Sequence, residues 1–377
     1  LELIPPPPAR PLSADPARSH TLPSRWYINP DVVPLERSAV FARSWLYVGH
    51  QSQLVEPGAY LTVTVAGQDL MVIRSHDRTL GAFHNVCQHR GHQLLNGAGQ
   101  VRAIACPYHG WVYGTDGQLN QARNTAEMVD FDKADFGLSA VQVEVMCGLV
   151  FVNLDPTAPS LASQTDGLEA EIRSFCPEID SVLFAQRDRF KVESNWKTMV
   201  ENFLECYHCA PAHRDFVDLV DMPSYRSVAH GIWSSHVSNA PGAEDNSAFT
   251  IETGRTDFSF AGWFVWPNLT IWIYPGDAQV SILQMNPGGP EQTIEYQDWF
   301  CPGGSPTPQL REAMDYQKDV LQPEDISLCE SVQRGLRSDG YDQGRFVVDT
   351  ERTELSEHAV HHFQIMVAKA LGVPVEK

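Results

Sequence analysis

Two short segments set sulfur beside imidazole. Cys87-Gln88-His89-Arg90-Gly91-His92 carries a C-x-H pair, and Cys106-Pro107-Tyr108-His109-Gly110-Trp111 carries a C-x-x-H pair. Residues 90–105 separate the pairs, and each falls on a loop between strand candidates, so two loops can converge on one metal centre. A [2Fe–2S] cluster with two thiolates on one iron and two imidazoles on the other needs this inventory. Cys87, His89, Cys106 and His109 are therefore the candidate cluster ligands. Imidazole places less negative charge on its iron than thiolate does, so the potential rises. Gly91 and Gly110 let the loop backbone approach the cluster, where amide hydrogen bonds tune it. Zinc also takes two Cys and two His, but a zinc finger pairs like with like, and here each pair is mixed.

A second group follows in Glu201-Asn202-Phe203-Leu204-Glu205-Cys206-Tyr207-His208-Cys209-Ala210-Pro211-Ala212-His213. Two His and one carboxylate on one face of Fe(II) leave open positions where dioxygen can bind. His208 and His213 are candidate ligands. On one continuous helix they would diverge by roughly 140°, so a break at Pro211 is expected to turn both toward one ion. The carboxylate must come from elsewhere. Gln322-Pro323-Glu324-Asp325-Ile326 opens a late helix candidate and offers Glu324 and Asp325, although acids also stand at helix starts for macrodipole reasons alone. Glu205, one turn before His208 on a helix expected over 194–209, can accept a hydrogen bond from that ring and orient it. Cys206 and Cys209 make a C-x-x-C, read as small packing residues on that helix rather than a redox pair. His84, His92, His230, His236, His358, His361 and His362 have no defensible partner spacing and read as solvated or satisfied core histidines.

The run from Phe260 to Tyr274 is dense in rings. Each ring fits a plain hydrophobic core. Together, Trp263, Phe264, Trp266, Trp272 and Tyr274 are candidates for a cation–π box, each ring contributing about 0.5–2 kcal/mol when desolvated. Strand alternation means that they need not all share a face.

With these motifs in place, the chain resembles a known family. C-x-H-R-G-H followed by C-P-Y-H-G-W is similar to the Rieske domain of bacterial non-haem iron oxygenases. Rieske proteins of respiratory complexes carry an extra Cys in each loop, where this chain has His92 and Tyr108, so the oxygenase branch fits. The resemblance implies an N-terminal all-β Rieske [2Fe–2S] domain inserted before a catalytic domain, with one mononuclear non-haem Fe(II). It implies Asp325 as the third iron ligand, with Glu324 the rival. It implies that Glu205 bridges His208 to His109 of the adjacent subunit in a homotrimer. Most relatives acting on aromatic rings have Asp at this place, so the extra methylene of Glu205 must be packed differently. The segment Glu201–Cys209 and the strand ending Trp266-Pro267-Asn268-Leu269 resemble the branch acting on carnitine, stachydrine and glycine betaine. The expected activity is thus that of an oxygenase component that hydroxylates a C–H bond beside a quaternary nitrogen, leading to N-demethylation or C–N cleavage. The alternative is a ring-hydroxylating oxygenase on an aromatic acid or other small molecule. A pure electron carrier would hold two irons rather than three. No G-x-G-x-x-G occurs in a strand–turn–helix context, so the chain is not expected to take hydride, and a flavin/iron–sulfur reductase using NAD(P)H is implied as partner.

Behind these residues stands an α+β pattern. Short β-rich runs at 60–65, 70–73, 80–86, 100–105, 110–114 and 141–154 suggest a small antiparallel sandwich or barrel. After Asp155-Pro156, helices are predicted at 168–175, 194–209, 307–321, 324–337 and 355–371. Strands are predicted at 184–192, 228–237, 260–266, 269–275, 278–286 and 292–300. The expected division is an arm and helix at 1–37 belonging to the catalytic domain, a Rieske domain at 38–156 and a catalytic domain at 157–377, an antiparallel sheet surrounded by helices. The Pro-rich stretch 1–24 is expected to lie on the surface or reach a neighbouring subunit.

Composition narrows the partners. The 377 residues hold 27 Lys+Arg against 47 Asp+Glu, a net charge of −20, which argues against nucleic acid or anionic lipid. No apolar run approaches the ~20 residues of a membrane helix. The start has neither the basic nor the apolar region of a secretory signal, and lacks Met, so an earlier trimmed segment is expected. Eight cysteines in this length are no disulfide framework, so a reducing cytoplasm is expected.

Overall fold

The computed structural model describes residues 8–239, 246–251 and 260–377. The chain packs as two units, one of residues 41–163 and the other of residues up to 40 together with 164–377. The expected bounds of the first unit were 38 and 156.

The 41–163 unit is built from ten short strands: β1 Leu46–His50, β2 Ala59–Val65, β3 Gln68–Arg74, β4 Leu80–His84, β5 Ala98–Gln100, β6 Ile104–Ala105, β7 Val112–Tyr113, β8 Leu119–Gln121, β9 Ala140–Met146 and β10 Leu149–Asn153. Seven form an antiparallel sheet in the order β1-β10-β9-β4-β3-β2-β5, and β6-β7-β8 make a smaller one. β1 carries no alternation, since all five of its residues are buried, and the period-2 signal misses it. The candidate 141–154 is two strands, reversed at Cys147-Gly148, both at positive φ. Likewise the candidate 100–105 divides into β5 and β6. A core of Met71, Ile73, Phe83, Ile104, Trp111, Tyr113 and Leu119 lies beneath Cys87 and Cys106.

The larger unit holds β11 Val182–Val192, β12 Arg226–His230, β13 Trp233–Ser238, β14 Phe260–Val265, β15 Leu269–Ile273, β16 Val280–Gly289 and β17 Gln292–Pro302. They form one antiparallel sheet in the order β11-β17-β16-β15-β14-β13-β12. Register puts Gly262 opposite Trp272, Trp272 opposite Ser281, and Leu283 opposite Gln297, so these residues share one face.

The helix expected over 194–209 runs only from Trp196 to Phe203. Asn195, not Ser194, caps it, accepting from the Lys197 N–H. Two buried contacts anchor it. Lys197 Nζ meets Glu36 Oε1 at 2.5 Å, and Trp196 Nε1 donates to Glu36 Oε2 at 2.9 Å. The helix stops because Glu205 turns its carboxylate onto its own chain, accepting from the His208 N–H at 3.1 Å. The chain then forms a turn and two short helices, Cys209–Ala212 and Arg214–Leu219. Pro211 sits inside the first of these, so the break falls earlier than expected. Further on, Pro308–Tyr316 leads through a π-helical turn, Gln317–Leu321, into the helix Gln322–Leu336. Of the Pro-rich arm, residues 1–7 lie outside the described residues. The rest packs on its own chain, with Leu12 and Leu22 buried and Ala14 N–H donating to Glu376 O at 2.7 Å.

Candidate functional site

The two Cys–His loops are built alike. Gly91 N–H donates to Cys87 O and Gly110 N–H to Cys106 O, each at 3.0 Å, while Cys87 N–H reaches His92 O and Cys106 N–H reaches Trp111 O. Both tight turns need the positive φ of a glycine, 73° at Gly91 and 72° at Gly110. The thiols are buried, and the imidazoles stand outward with their Nδ1 atoms 3.1 Å apart. His89 is held flat against Trp111, ring centroids 4.9 Å apart. Partial loss of solvent, then the nearby His89 and Arg90, lower the pKa of His109, which favours the neutral ring that a metal requires. Two sulfurs inside and two imidazole nitrogens converging outside suit the donor set of a mixed-ligand [2Fe–2S] cluster. The buried Tyr113 hydroxyl lies 3.3 Å from Cys87 Sγ and accepts from the Gln88 N–H, a contact that would tune the potential of a cluster bound there and that the sequence motif does not reveal.

In the larger unit, His208, His213 and Asp325 come together, their ligand atoms all within 4.8 Å of one another. His213 Nε2 lies 2.9 Å and His208 Nε2 3.4 Å from Asp325 Oδ1. Each ring is gripped from behind by a different acid. Glu205 Oε1 takes the Nδ1 of His208 at 2.6 Å, and Glu324 Oε2 takes the Nδ1 of His213 at 2.8 Å. With both Nδ1 atoms occupied, both Nε2 atoms face the gap. Of the two rival acids, Asp325 faces both Nε2 atoms, whereas Glu324 stands behind His213. Asn202 Nδ2 donates to Asp325 Oδ1 at 3.0 Å.

The charges suit a cation. Burial opposes ionisation of Asp325, but hydrogen bonds from His208 and His213 outweigh it and hold the carboxyl well below its usual range. Burial also opposes charge on His208, yet Asp325 and Glu205 raise it to about 10. A divalent metal in this gap would take both Nε2 atoms as neutral donors, with release of any protons held there.

Beside the triad lies an open cavity, lined on the sheet side by Phe260, Trp272, Tyr274 and Gln297. Phe203 meets Trp272 edge-on at 4.6 Å, Trp272 stacks on Tyr274 at 5.6 Å, and Phe260 meets both within 6 Å. Gly262, opposite Trp272, lies under the Phe203 ring.

Only two of the five expected rings are here. Trp263 points to the opposite face of the sheet, edge-on to Phe175 with its Nε1 on Glu171. Phe264 shares the cavity face but sits further along it, against Phe363, and Trp266, in the turn after β14, packs on Phe363 as well. Strand alternation separates Trp263 from the rest, and distance along the strand separates the other two. Phe203 and Phe260 take their places. The parity of β14 and β15 puts Phe260 on the same face as Trp272, but which face meets the triad depends on helices remote in sequence.

Cys206 and Cys209 also line the cavity and are joined in a disulfide, contrary to their reading as packing thiols. The physical reason is the early helix end. The pair lies across the turn that follows Phe203 rather than inside a continuing helix, with Cα atoms 4.9 Å apart. Of the remaining histidines, His236 lines the cavity beside Phe203, while His358 and His361 are core groups. His236 is buried between Tyr225 and Ser234, and His358 and His361 bond Ser227 O and Ser13 O.

Comparison with known proteins agrees with this geometry. Residues 179–372 match the ring hydroxylating alpha subunit (catalytic domain), and residues 44–136 match the Rieske [2Fe-2S] domain. The chain is 37% identical over 358 residues to the carnitine monooxygenase oxygenase subunit of Escherichia coli (strain K12), covering 94% of this chain and 95% of that one. It is 30% identical to the chloroplastic choline monooxygenase of Amaranthus tricolor, covering 93% and 78%. A crystal structure of a quaternary ammonium Rieske monooxygenase in complex with L-carnitine superposes with a TM-score of 0.85 at 34% identity, covering 95% of this chain and 97% of that one. Among the described residues, no helix is long and apolar enough to cross a membrane.

Proposed function

The chain belongs to the Rieske-type oxygenases with a ring-hydroxylating alpha-subunit catalytic domain, and from that premise we propose that it oxidises a small quaternary ammonium compound. As a member of that family it is an oxidoreductase with a [2Fe–2S] cluster and a mononuclear non-haem iron. The four residues Cys87, His89, Cys106 and His109 would hold the first, and His208, His213 and Asp325 the second.

The observation that carries the substrate reading is the wall of Phe203, Phe260, Trp272 and Tyr274 beside the triad. Ring faces carry negative quadrupole density, so they attract a desolvated cation that cannot donate hydrogen bonds. The names of the carnitine and choline relatives support the same class.

When bound, the two metal groups supply single electrons and the reduction of dioxygen. The protein's own residues do the rest. The aromatic wall holds the ammonium group with a C–H bond near the triad and excludes water. Glu205 and Glu324 fix the two imidazoles, and Asn202 steadies Asp325. Glu205 also stands where an electron from the cluster of a neighbouring subunit would arrive, a role that rests on the family resemblance, as does the homotrimer. A separate NAD(P)H-dependent reductase supplies the electrons, and the cytoplasm is the proposed location. The balance is C–H plus O₂, two electrons and two protons, giving C–OH and water. On an N-methyl group the hydroxylated product loses its O–H proton and breaks its C–N bond, giving a tertiary amine, formaldehyde and a proton.

The test is a single turnover. Reduced protein is mixed with O₂ and either a quaternary ammonium compound or an aromatic acid. The expected result is cluster reoxidation and an oxidised amine or formaldehyde only with the former. Ring diols from the aromatic acid, with no response to any quaternary amine, would refute the proposal.

A further inference from the structure

We propose that Cys206 and Cys209 are a reversible dithiol–disulfide pair whose state sets how firmly the mononuclear site holds its metal. The inference rests on the reading of His208 and His213 as iron ligands and is independent of the substrate.

The bond closes a ring of four residues, Cys206-Tyr207-His208-Cys209, and His208 lies inside it. Glu205, whose carboxylate takes both the Nδ1 and the backbone N–H of His208, directly precedes the ring. Cys209 is tied to both ligands through the chain. It follows His208, and its carbonyl accepts from the His213 N–H at 2.8 Å. It also opens the helix Cys209–Ala212, only four residues long. So short a helix has little stability of its own. Within the ring the backbone adds a bond from Cys209 N–H to Cys206 O at 3.0 Å. The covalent link is therefore a substantial part of what fixes the backbone that carries both imidazoles.

The pairing is specific, because the other six cysteines are free and buried. Cys206 and Cys209 line the open cavity beside the triad, which gives a small dithiol an approach that a closed core would deny it. In a cytoplasm such bonds are characteristically transient. Opening is thiol–disulfide exchange. One thiol of the reductant attacks a sulfur of the pair, the S–S bond breaks, and the second thiol closes the reductant's own disulfide. Two electrons and two protons pass to the pair, which is left as two thiols. Unbonded sulfurs cannot stay at bonding distance, so the turn widens and carries His208 off the line on which Glu205 holds it. Such a loss of support for a ligating imidazole weakens metal binding by about tenfold.

The test equilibrates anaerobic, cluster-loaded wild type in buffers of reduced and oxidised dithiothreitol, then removes the buffer by gel filtration. Alkylation with mass spectrometry counts the free thiols of the peptide holding Cys206 and Cys209, and chelator competition measures the mononuclear iron retained. The expected result is a reversible change of two thiols in that peptide, with iron held about tenfold less tightly in the open form. The double variant Cys206→Ser with Cys209→Ser, which cannot close, is expected to match the open wild type and to ignore the buffer. The visible spectrum reports an intact cluster in every sample, and the wild-type comparison needs no variant at all. A pair that stays closed or stays open across all buffers overturns the inference, as does equal iron retention in the two forms, or an iron response to the buffer that survives in the double variant. If neither form of the wild type holds a mononuclear iron while its cluster is loaded, the ligand reading itself fails and this inference falls with it.

Discussion

Removing the carboxylate of Glu324 isolates how an acid outside the ligand set holds the iron site together. Glu324 Oε2 accepts from His213 Nδ1 at 2.8 Å, and the His213 side chain is 2% exposed against 39% for Glu324. A hydrogen bond to a charged group contributes about 1.5–3 kcal/mol, and loss of such an orienting partner typically weakens metal binding by about 10–100-fold. The half-open position of Glu324 lets solvent screen its charge, so the low end applies. Glu324→Ala is therefore expected to weaken mononuclear iron binding by about tenfold, or ~1.4 kcal/mol. Glu324→Gln keeps an acceptor beside Nδ1 and loses only the charge, so its effect is expected to be about threefold, or ~0.7 kcal/mol. The assay is chelator competition on anaerobic, cluster-loaded protein, with retained iron measured by elemental analysis and the visible spectrum monitoring the cluster. Full iron retention in Glu324→Ala would refute the orienting role. Bleaching of the cluster in step with iron loss would show instead that the substitution damages the whole fold.

Two further outcomes concern buried charge. In Lys197→Met, Glu36 keeps only its bond from Trp196 in a buried place, so a loss of about 3–5 kcal/mol is expected in denaturant unfolding. The double variant Lys197→Met with Glu36→Gln is expected to recover most of it, and simple additivity would contradict the pairing. Burial, then the charge of Asp325, raises Glu295 to about 8, against 4.5 for an ordinary glutamate. Between these values the folded chain binds more protons than the unfolded one, so stability falls as pH rises. Glu295→Gln should remove that fall, with a gain of up to a few kcal/mol at pH 8 and none below pH 4.5. A pH–stability curve parallel to that of the wild type would contradict it.

What could be read from the chain alone was what is local. The C-x-H and C-x-x-H loops are short enough for spacing to define them, and the two glycines announce their turns. Of the seven strands of the larger unit, β11 and β14 to β17 were visible as separate runs, whereas the single candidate 228–237 is two strands, β12 and β13. The end of the Trp196 helix was hidden, because Met199, Phe203 and Tyr207 keep helical spacing past the point where Glu205 bends back to His208. The disulfide was hidden for the same reason. The cavity wall was half legible: Trp272 lies on β15 and Tyr274 directly follows it, but Phe203 reaches them from a helix far away in sequence. Glu36 with Lys197, and Glu324 with His213, are partners that only folding brings together.

The most direct measurement is an iron count on anaerobically purified wild type and His213→Ala, read together with the visible spectrum. Two separate iron stations give three irons per chain in the wild type, and two in the variant with an unchanged cluster spectrum. Zinc in the Cys/His loops, or loss of the cluster spectrum in His213→Ala, would contradict that arrangement.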